Sequence, residues 1–259
     1  MPKTLLTGAS GRLGSYLRER FAATGRPVLA TDLVAPDDGG EVVLADLADR
    51  AAVEALMQSD IEAVVHFGGM ANEAPWQAIL DANIAGTYNV FEAARQAGVK
   101  RVIYASSYHV LGMHKVSDAP LDRHAEVRPD SLYAVSKLFG ENLSRLYHDK
   151  FGIQCLNVRI CAANNPGSQR DLKLWCDRED LARLVFAGLD ARELGYRTVF
   201  AISGNAGAWY VNEPGQTLGW KAEHSSGELP APAGGWPEPK PEVAVLQGGG
   251  FAVRGHFED

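Results

Sequence analysis

Thr4-Leu5-Leu6-Thr7-Gly8-Ala9-Ser10-Gly11-Arg12-Leu13-Gly14 carries an apolar run into a glycine-rich turn, and Leu13, Leu17 and Phe21 then recur at intervals of four. The order strand, tight turn, helix is the opening of a dinucleotide-binding unit. Gly8 can take backbone angles closed to other residues, Gly11 lets the chain approach a pyrophosphate, and Gly14 lets helix and strand pack closely. The helix N-terminus adds amide donors and a dipole that favours phosphate. The spacing G-x-x-G-x-x-G is a variant of G-x-G-x-x-G, and its place between a predicted strand and a predicted helix separates it from an ordinary glycine turn.

Outward from this loop, short apolar runs alternate with longer amphipathic ones. Strands are predicted at residues 4–7, 28–32, 41–44, 63–67, 101–106, 153–159 and 198–203, and helices at 11–23, 51–57, 76–97 and 131–150. Several strands are almost continuously apolar, as strands buried on both faces should be. The expectation is α/β, a doubly wound parallel sheet of the Rossmann type. Regularity ends near Ser203; residues 229–243 hold five of the 13 prolines, so residues 204–259 are expected to be an irregular cover packed on the domain formed by 1–203.

The chain has 259 residues, 32 acidic against 25 basic, and a net charge of −7. Net acidity without a long Lys/Arg run argues against nucleic acid and anionic membrane surfaces. No apolar stretch approaches the roughly 20 residues that span a bilayer. Met1-Pro2-Lys3 leads directly into a strand without a signal-peptide layout. Cys155, Cys161 and Cys176 are an odd number without C-x-x-C spacing, so neither a disulfide framework nor a zinc site is indicated. The expectation is a soluble, cytoplasmic protein without a metal.

Asp32 ends the second predicted strand, 18 residues past Gly14. A carboxylate there can accept both adenosine ribose hydroxyls and would repel a 2′-phosphate, favouring NAD over NADP; Arg12 is the opposing signal. Asp46-Leu47 follows the third strand and could border the adenine, with Asp46 as a helix N-cap the alternative. Tyr133-Ala134-Val135-Ser136-Lys137 opens a helix, so Tyr133 and Lys137 project from one face. A phenol titrates near 10 in water and needs a neighbouring cation to act as a base at neutral pH. Ser107 falls at the C-terminal end of the fifth strand, where such sheets bind ligands, or else caps a turn. Asn83 is an unusual polar residue inside a predicted helix; it distorts that helix, holds a water near the site, or is merely exposed.

Taken together, the glycine loop, Asp32, Ser107 and the Tyr133/Lys137 pair resemble the extended short-chain dehydrogenase/reductases across about residues 3–203. His66-Phe67-Gly68-Gly69, Arg128-Pro129-Asp130-Ser131-Leu132-Tyr133, Leu156-Asn157-Val158-Arg159-Ile160, Leu218-Gly219-Trp220 and Gln247-Gly248-Gly249 extend the likeness, almost end to end, to the uronate dehydrogenases. That resemblance implies NAD-dependent oxidation of the C1 hydroxyl of glucuronate or galacturonate to an aldarolactone, by a homo-oligomer. It implies Ser107, Tyr133 and Lys137 as catalytic residues. Cofactor contacts would come from Gly8, Gly11, Arg12, Leu13, Gly14, Asp32, Asp46, Leu47, Gly68, Gly69, Met70, Asn83, Tyr133, Lys137 and Ile160. On the sugar side it implies Ala71, Ser107, Tyr108, His109 and Arg170, with Arg170 gripping the carboxylate.

Two positions depart from the family pattern: Ala71 stands where a substrate-contacting serine is usual, and Tyr108 where an asparagine is usual. The 161–170 loop also diverges. These changes bear on the choice of sugar and leave Ser107, Tyr133 and Lys137 untouched. A C1 dehydrogenase of another sugar is the near alternative. A sugar-nucleotide epimerase needs a larger substrate domain than the 56 residues after Ser203. A non-catalytic NAD sensor would leave the Ser107/Tyr133/Lys137 set without a purpose.

Overall fold

The structure, a computed structural model, describes residues 2–255. Its centre is a sheet of β1 (Lys3–Thr7), β2 (Val28–Asp32), β3 (Val43–Leu44), β4 (Ile61–His66), β5 (Arg101–Ser107), β6 (Gln154–Ile160) and β7 (Tyr196–Ala201). The strands run parallel in the order β3-β2-β1-β4-β5-β6-β7. The order reverses between β1 and β4, and ligands of such sheets bind in the crevice beyond the carboxyl ends at that point. The third strand is only two residues long and exposed, shorter than its apolar pattern suggests.

Alternate residues of each strand face opposite layers. Leu6, Val65, Ile103 and Leu156 pack with Leu17 and Phe21 of α1 (Arg12–Ala23) and with Leu181, Leu184 and Val185 of a helix at Arg178–Asp190. Leu5, Val64, Val102 and Cys155 pack on the other side with α2 (Arg50–Met57), Val90 and Phe91 of a helix at Gly86–Gln96, and Leu143 and Tyr147 of a helix at Leu132–Phe151. The expected helix over 76–97 is divided into α3 (Trp76–Ile79), a π-helical turn (Leu80–Ala85) and α4 (Gly86–Gln96). Leu132–Phe151 is α5; Ser131 caps it, its Oγ accepting from Ala134 N at 3.1 Å, and Gly152 ends it at φ +70°. The α6 (Gln169–Leu174) and α7 (Arg178–Asp190) helices are absent from the sequence reading.

Residues 204–255 hold only two 3₁₀ turns and α8 (Gly250–Val253). Asp180, on α7, fastens this segment to the sheet. Its carboxylate accepts from Ser203 Oγ at 2.7 Å, Glu223 N at 2.8 Å and His224 N at 3.2 Å, and its carbonyl accepts from Trp220 Nε1 at 3.0 Å. Arg183 Nη1 adds a fourth donor to the carboxylate at 2.9 Å, so this fully buried charge is both paired and hydrogen-bonded. Further along, Gln247 N donates to His114 O and Gly248 N to Gly112 O, both at 2.8 Å, returning the chain to the mouth of the crevice. Among the described residues no helix is long and apolar enough to cross a membrane, no cluster of three metal-ligating side chains occurs, and the three cysteines are free and buried.

Candidate active site

A cleft of about 710 Å³ opens at the β1/β4 switch point, reaching from the β1–α1 loop past the ends of β5 and β6 to the 248–251 segment. At its floor Gly8 has φ +71°, and a Cβ there would stand 2.5 Å from Phe67 C and O. A Cβ on Gly14 would overlap the Gly8 carbonyl oxygen, whereas one on Gly11 would meet only that atom, at 3.4 Å. The loop is thus crowded against the protein at Gly8 and Gly14 and leaves Gly11 facing the cleft. That leaves a concave stretch of backbone above the N-terminus of α1, a shape and dipole suited to a pyrophosphate.

Asp32 lines the same cleft. Its carboxylate accepts from Ser10 N at 2.8 Å and from Leu33 N at 2.7 Å, which holds it at the mouth of the glycine loop. Arg12 is exposed at the first position of α1, and Leu13, Met70 and Ile160 also line the cleft. Asp46, Leu47, Gly68 and Asn83 are not among its lining residues. Asp46 instead caps a local turn through Ala48 N at 2.8 Å, while Asp49 caps α2. Leu47 packs behind Gly68, where a Cβ would come 2.6 Å from its Cδ1.

Asn83 is buried, contrary to the exposed alternative, and the helix around it is indeed distorted. Its amide bonds both backbone and side chain. Its Oδ1 accepts from Met70 N at 2.7 Å; its Nδ2 donates to Met70 O at 3.1 Å and to Ser136 Oγ at 2.8 Å. Ser136 Oγ in turn donates to Tyr133 O at 2.6 Å. A single amide therefore joins the Gly69-Met70 loop to the first turn of α5, and its backbone seat on Gly69 excludes any side chain there, since a Cβ would sit 2.6 Å from Asn83 Oδ1.

The α5 N-terminus brings Tyr133 and Lys137 into the cleft opposite Ser107. Burial pushes the Tyr133 phenol up to about 12; the Ser107 hydroxyl, hydrogen-bonding to it, opposes that rise, and Asp130 adds to it. Burial lowers Lys137 to about 8. Its Nζ lies 5.5 Å from the Tyr133 ring centroid and 5.4 Å from that of Tyr104, within cation–π range of both. Ser107 also caps the 3₁₀ turn that follows β5, accepting from His109 N at 3.3 Å, while it lines the cleft.

Farther along the cleft are Ala71, Tyr108, His109 and Arg170. Arg170 lies on α6, its guanidinium 5.1 Å from the Trp209 ring, with Nη2 donating to Gln247 O and Nη1 3.6 Å from Asp171 Oδ1. Its buried Nε has no partner among the described residues. The Tyr108 phenol, where the family pattern has an amide, lies against this guanidinium, which opposes the rise in its titration caused by burial. The cleft thus has one end lined by the glycine loop and Asp32, and a cationic end lined by Arg170.

Several contributors escaped the sequence reading. Glu73 accepts from Tyr133 N at 2.8 Å and Leu132 N at 3.1 Å, capping α5 beside the candidate base. Asp130 bonds His109, and Gly248, Gly250 and Phe251 line the cleft at the Arg170 end. Asp130 was visible in the Pro129-Asp130-Ser131 segment before the helix, but nothing local assigns a partner to it.

Comparison with known proteins bears on this geometry. Residues 4–175 match the NAD dependent epimerase/dehydratase family. The chain belongs to that family. It is 39% identical to the uronate dehydrogenase of Pseudomonas putida, over 98% of this chain and 97% of that one, and 38% identical to the uronate dehydrogenase of Agrobacterium fabrum, over 97% of each. A crystal structure of a variant uronate dehydrogenase from Agrobacterium tumefaciens complexed with NAD superposes with a TM-score of 0.89, at 37% identity over 99% of both chains. The likeness to these epimerase/dehydratase family members includes the irregular 204–255 segment as well as the parallel sheet.

Proposed function

We propose that this chain catalyses NAD-dependent oxidation of a hexuronate at C1, giving an aldarolactone. The observation that carries the proposal is the convergence of Ser107, Tyr133, Lys137 and Arg170 on one cleft whose other end is a glycine cradle. The end-to-end likeness to uronate dehydrogenases supports it. NAD, when bound, supplies the hydride acceptor for the C1 hydrogen.

The protein's part is to orient the sugar and move a proton. Tyr133 Oη accepts the C1 hydroxyl proton as a general base, and Ser107 Oγ donates to the same oxygen. Lys137 places a positive charge beside the phenol and would hold the nicotinamide ribose. The low polarity that raises Tyr133 to about 12 also strengthens the effect of that charge. Arg170 faces a carboxylate at the far end, where its planar fork suits a bidentate partner. Asp32 would accept the adenosine ribose hydroxyls.

NADH formation measured over glucuronate, galacturonate, neutral aldoses and sugar phosphates tests the substrate class. Turnover of uronates above all others is expected; a preference for neutral sugars would refute the carboxylate grip. Within the same assay, Arg170→Ala should raise KM for uronates by about 100-fold, the loss of a charge-assisted pair of ~3 kcal/mol, and should change neutral sugars little. An equal loss with all sugars would remove Arg170 from carboxylate recognition. Replacing Asp32 by Ala should weaken NAD by about tenfold and narrow the preference for NAD over NADP, read from KM for each cofactor. An unaltered ratio would detach Asp32 from ribose recognition.

A further inference from the structure

The His109 imidazole is held on every side but one. Its Nδ1 lies 2.7 Å from Asp130 Oδ2. Phe251 stacks on one ring face at 4.2 Å and 19°, and Tyr108 lies tilted against the ring, also at 4.2 Å. The Tyr133 ring stands edge-on at 6.1 Å. Nδ1 is therefore spent on the carboxylate, and Nε2 is the ring nitrogen left for the cleft that His109 lines.

Asp130 is more firmly seated than its partner. Its side chain is 0% exposed, and Ser131 Oγ donates to its other oxygen at 2.8 Å. Space for that carboxylate exists only because two neighbours lack side chains, since a Cβ on Gly112 or on Gly248 would overlap it. Gly112 follows the 3₁₀ turn after β5 and Gly248 belongs to the distant C-terminal segment, and the two are joined by the Gly248 N to Gly112 O bond at 2.8 Å. The chain builds a socket from three separated segments around one carboxylate.

A carboxylate only accepts hydrogen bonds, so the proton of a neutral imidazole beside it sits on Nδ1 and Nε2 carries the lone pair. We propose that Asp130 is a positioning residue that fixes His109 in the Nδ1–H form, making Nε2 a hydrogen-bond acceptor for the sugar hydroxyl next to the carbon that is oxidised. The His109 and Tyr133 rings stand 6.1 Å apart, so both can reach one sugar, and C2 carries the hydroxyl on the carbon bonded to C1. An acceptor at that point rejects a sugar lacking the hydroxyl, because the desolvated lone pair is then left without a donor. The sugar part of this inference rests on the uronate reading above; the state of the imidazole does not.

Two measurements separate these. The ¹⁵N spectrum of histidine-labelled protein, with His109 assigned by its absence in His109→Gln, should show Nδ1 protonated and Nε2 bare. In Asp130→Asn, Ser131 keeps the amide oxygen on its own side, so the amide nitrogen donates to Nδ1 and the proton moves to Nε2. A wild-type spectrum with Nε2 protonated would overturn the proposal without any assay, and so would an unchanged spectrum in Asp130→Asn.

The second measurement compares a uronate with its 2-deoxy analogue. Wild type should prefer the hydroxylated sugar by about tenfold in kcat/KM, and Asp130→Asn should lose most of that preference through KM while kcat changes little. Asp130→Asn in the His109→Gln background should cost nothing further. A preference that survives in Asp130→Asn, or a loss that persists in the double variant, overturns the positioning role. If wild type fails to oxidise uronates at all, the functional reading fails and the spectrum alone decides the role of Asp130.

Discussion

Tyr133→Phe should lower uronate-dependent NADH formation by about 10³-fold while NAD still binds, because the ring stays in its packed site and only the proton-accepting oxygen is lost. The ring contacts are substantial: Tyr133 packs with Ala74 and Ile79 and meets His109 and Phe251 edge-on. Phenylalanine preserves them. The pH dependence gives a second reading. Burial holds the phenol up near 12 in the free protein, so the reactive phenolate becomes commoner as pH rises, and the positive nicotinamide of a bound cofactor would lower the range. Oxidation by wild type should therefore climb with pH from neutrality, and the residual rate of Tyr133→Phe should lack that rise. Normal turnover in the variant would eliminate Tyr133 as the base.

A comparable effect on stability is expected one turn further along α5. Glu141 and Arg159 form a bidentate pair at 2.9 Å for both bonds, with side chains 9% and 4% exposed, and Ser106 Oγ donates to Glu141 Oε1 at 2.6 Å. The pair ties the helix that carries Lys137 to the strand ends that carry Ser107 and Ile160. Arg159→Met removes one charge and leaves the other buried alone, a cost of about 3–5 kcal/mol. For a chain of this size that is a fall in melting temperature on the order of 10 °C, measured by calorimetry. Arg159→Met combined with Glu141→Leu should recover much of the loss, since two apolar side chains avoid the unpaired charge. An unaltered melting temperature in Arg159→Met would mean that water reaches Glu141. Slackening the helix against β5 should also reduce kcat without a matching change in KM.

The fold was readable because buried parallel strands leave long apolar runs, as at Val102-Ile103-Tyr104 and Val64-Val65, and because the glycine loop sits where only one arrangement uses all three glycines. The α7 helix was missed although Asp177, Leu181, Leu184 and Val185 spell an N-cap and an apolar stripe; the buried Asp180 within it disguises the pattern until the partners from residues 203 and 220–224 are seen. In the candidate site, Ser107, Tyr133 and Lys137 stood out by motif and spacing and Arg170 by family likeness, and the structure brings all four to one cleft. Glu73, Asp130 and Phe251 were not, because each acts through a partner 21 to 142 residues away. The role of Asn83 lay between: its polarity inside a helix marked it, while the Met70 and Ser136 bonds that explain it are tertiary.

The socket at Gly248 has a bearing on biosynthesis. The last strand of the sheet ends at Ala201, 47 residues before Gly248. At roughly 5–20 residues per second, a ribosome needs about 2–9 s to cover that interval. A nascent polypeptide thus carries the whole sheet and its glycine loop for seconds before the Gly248 side of the Asp130 socket exists, so any cofactor uptake during translation would come ahead of the finished surroundings of His109.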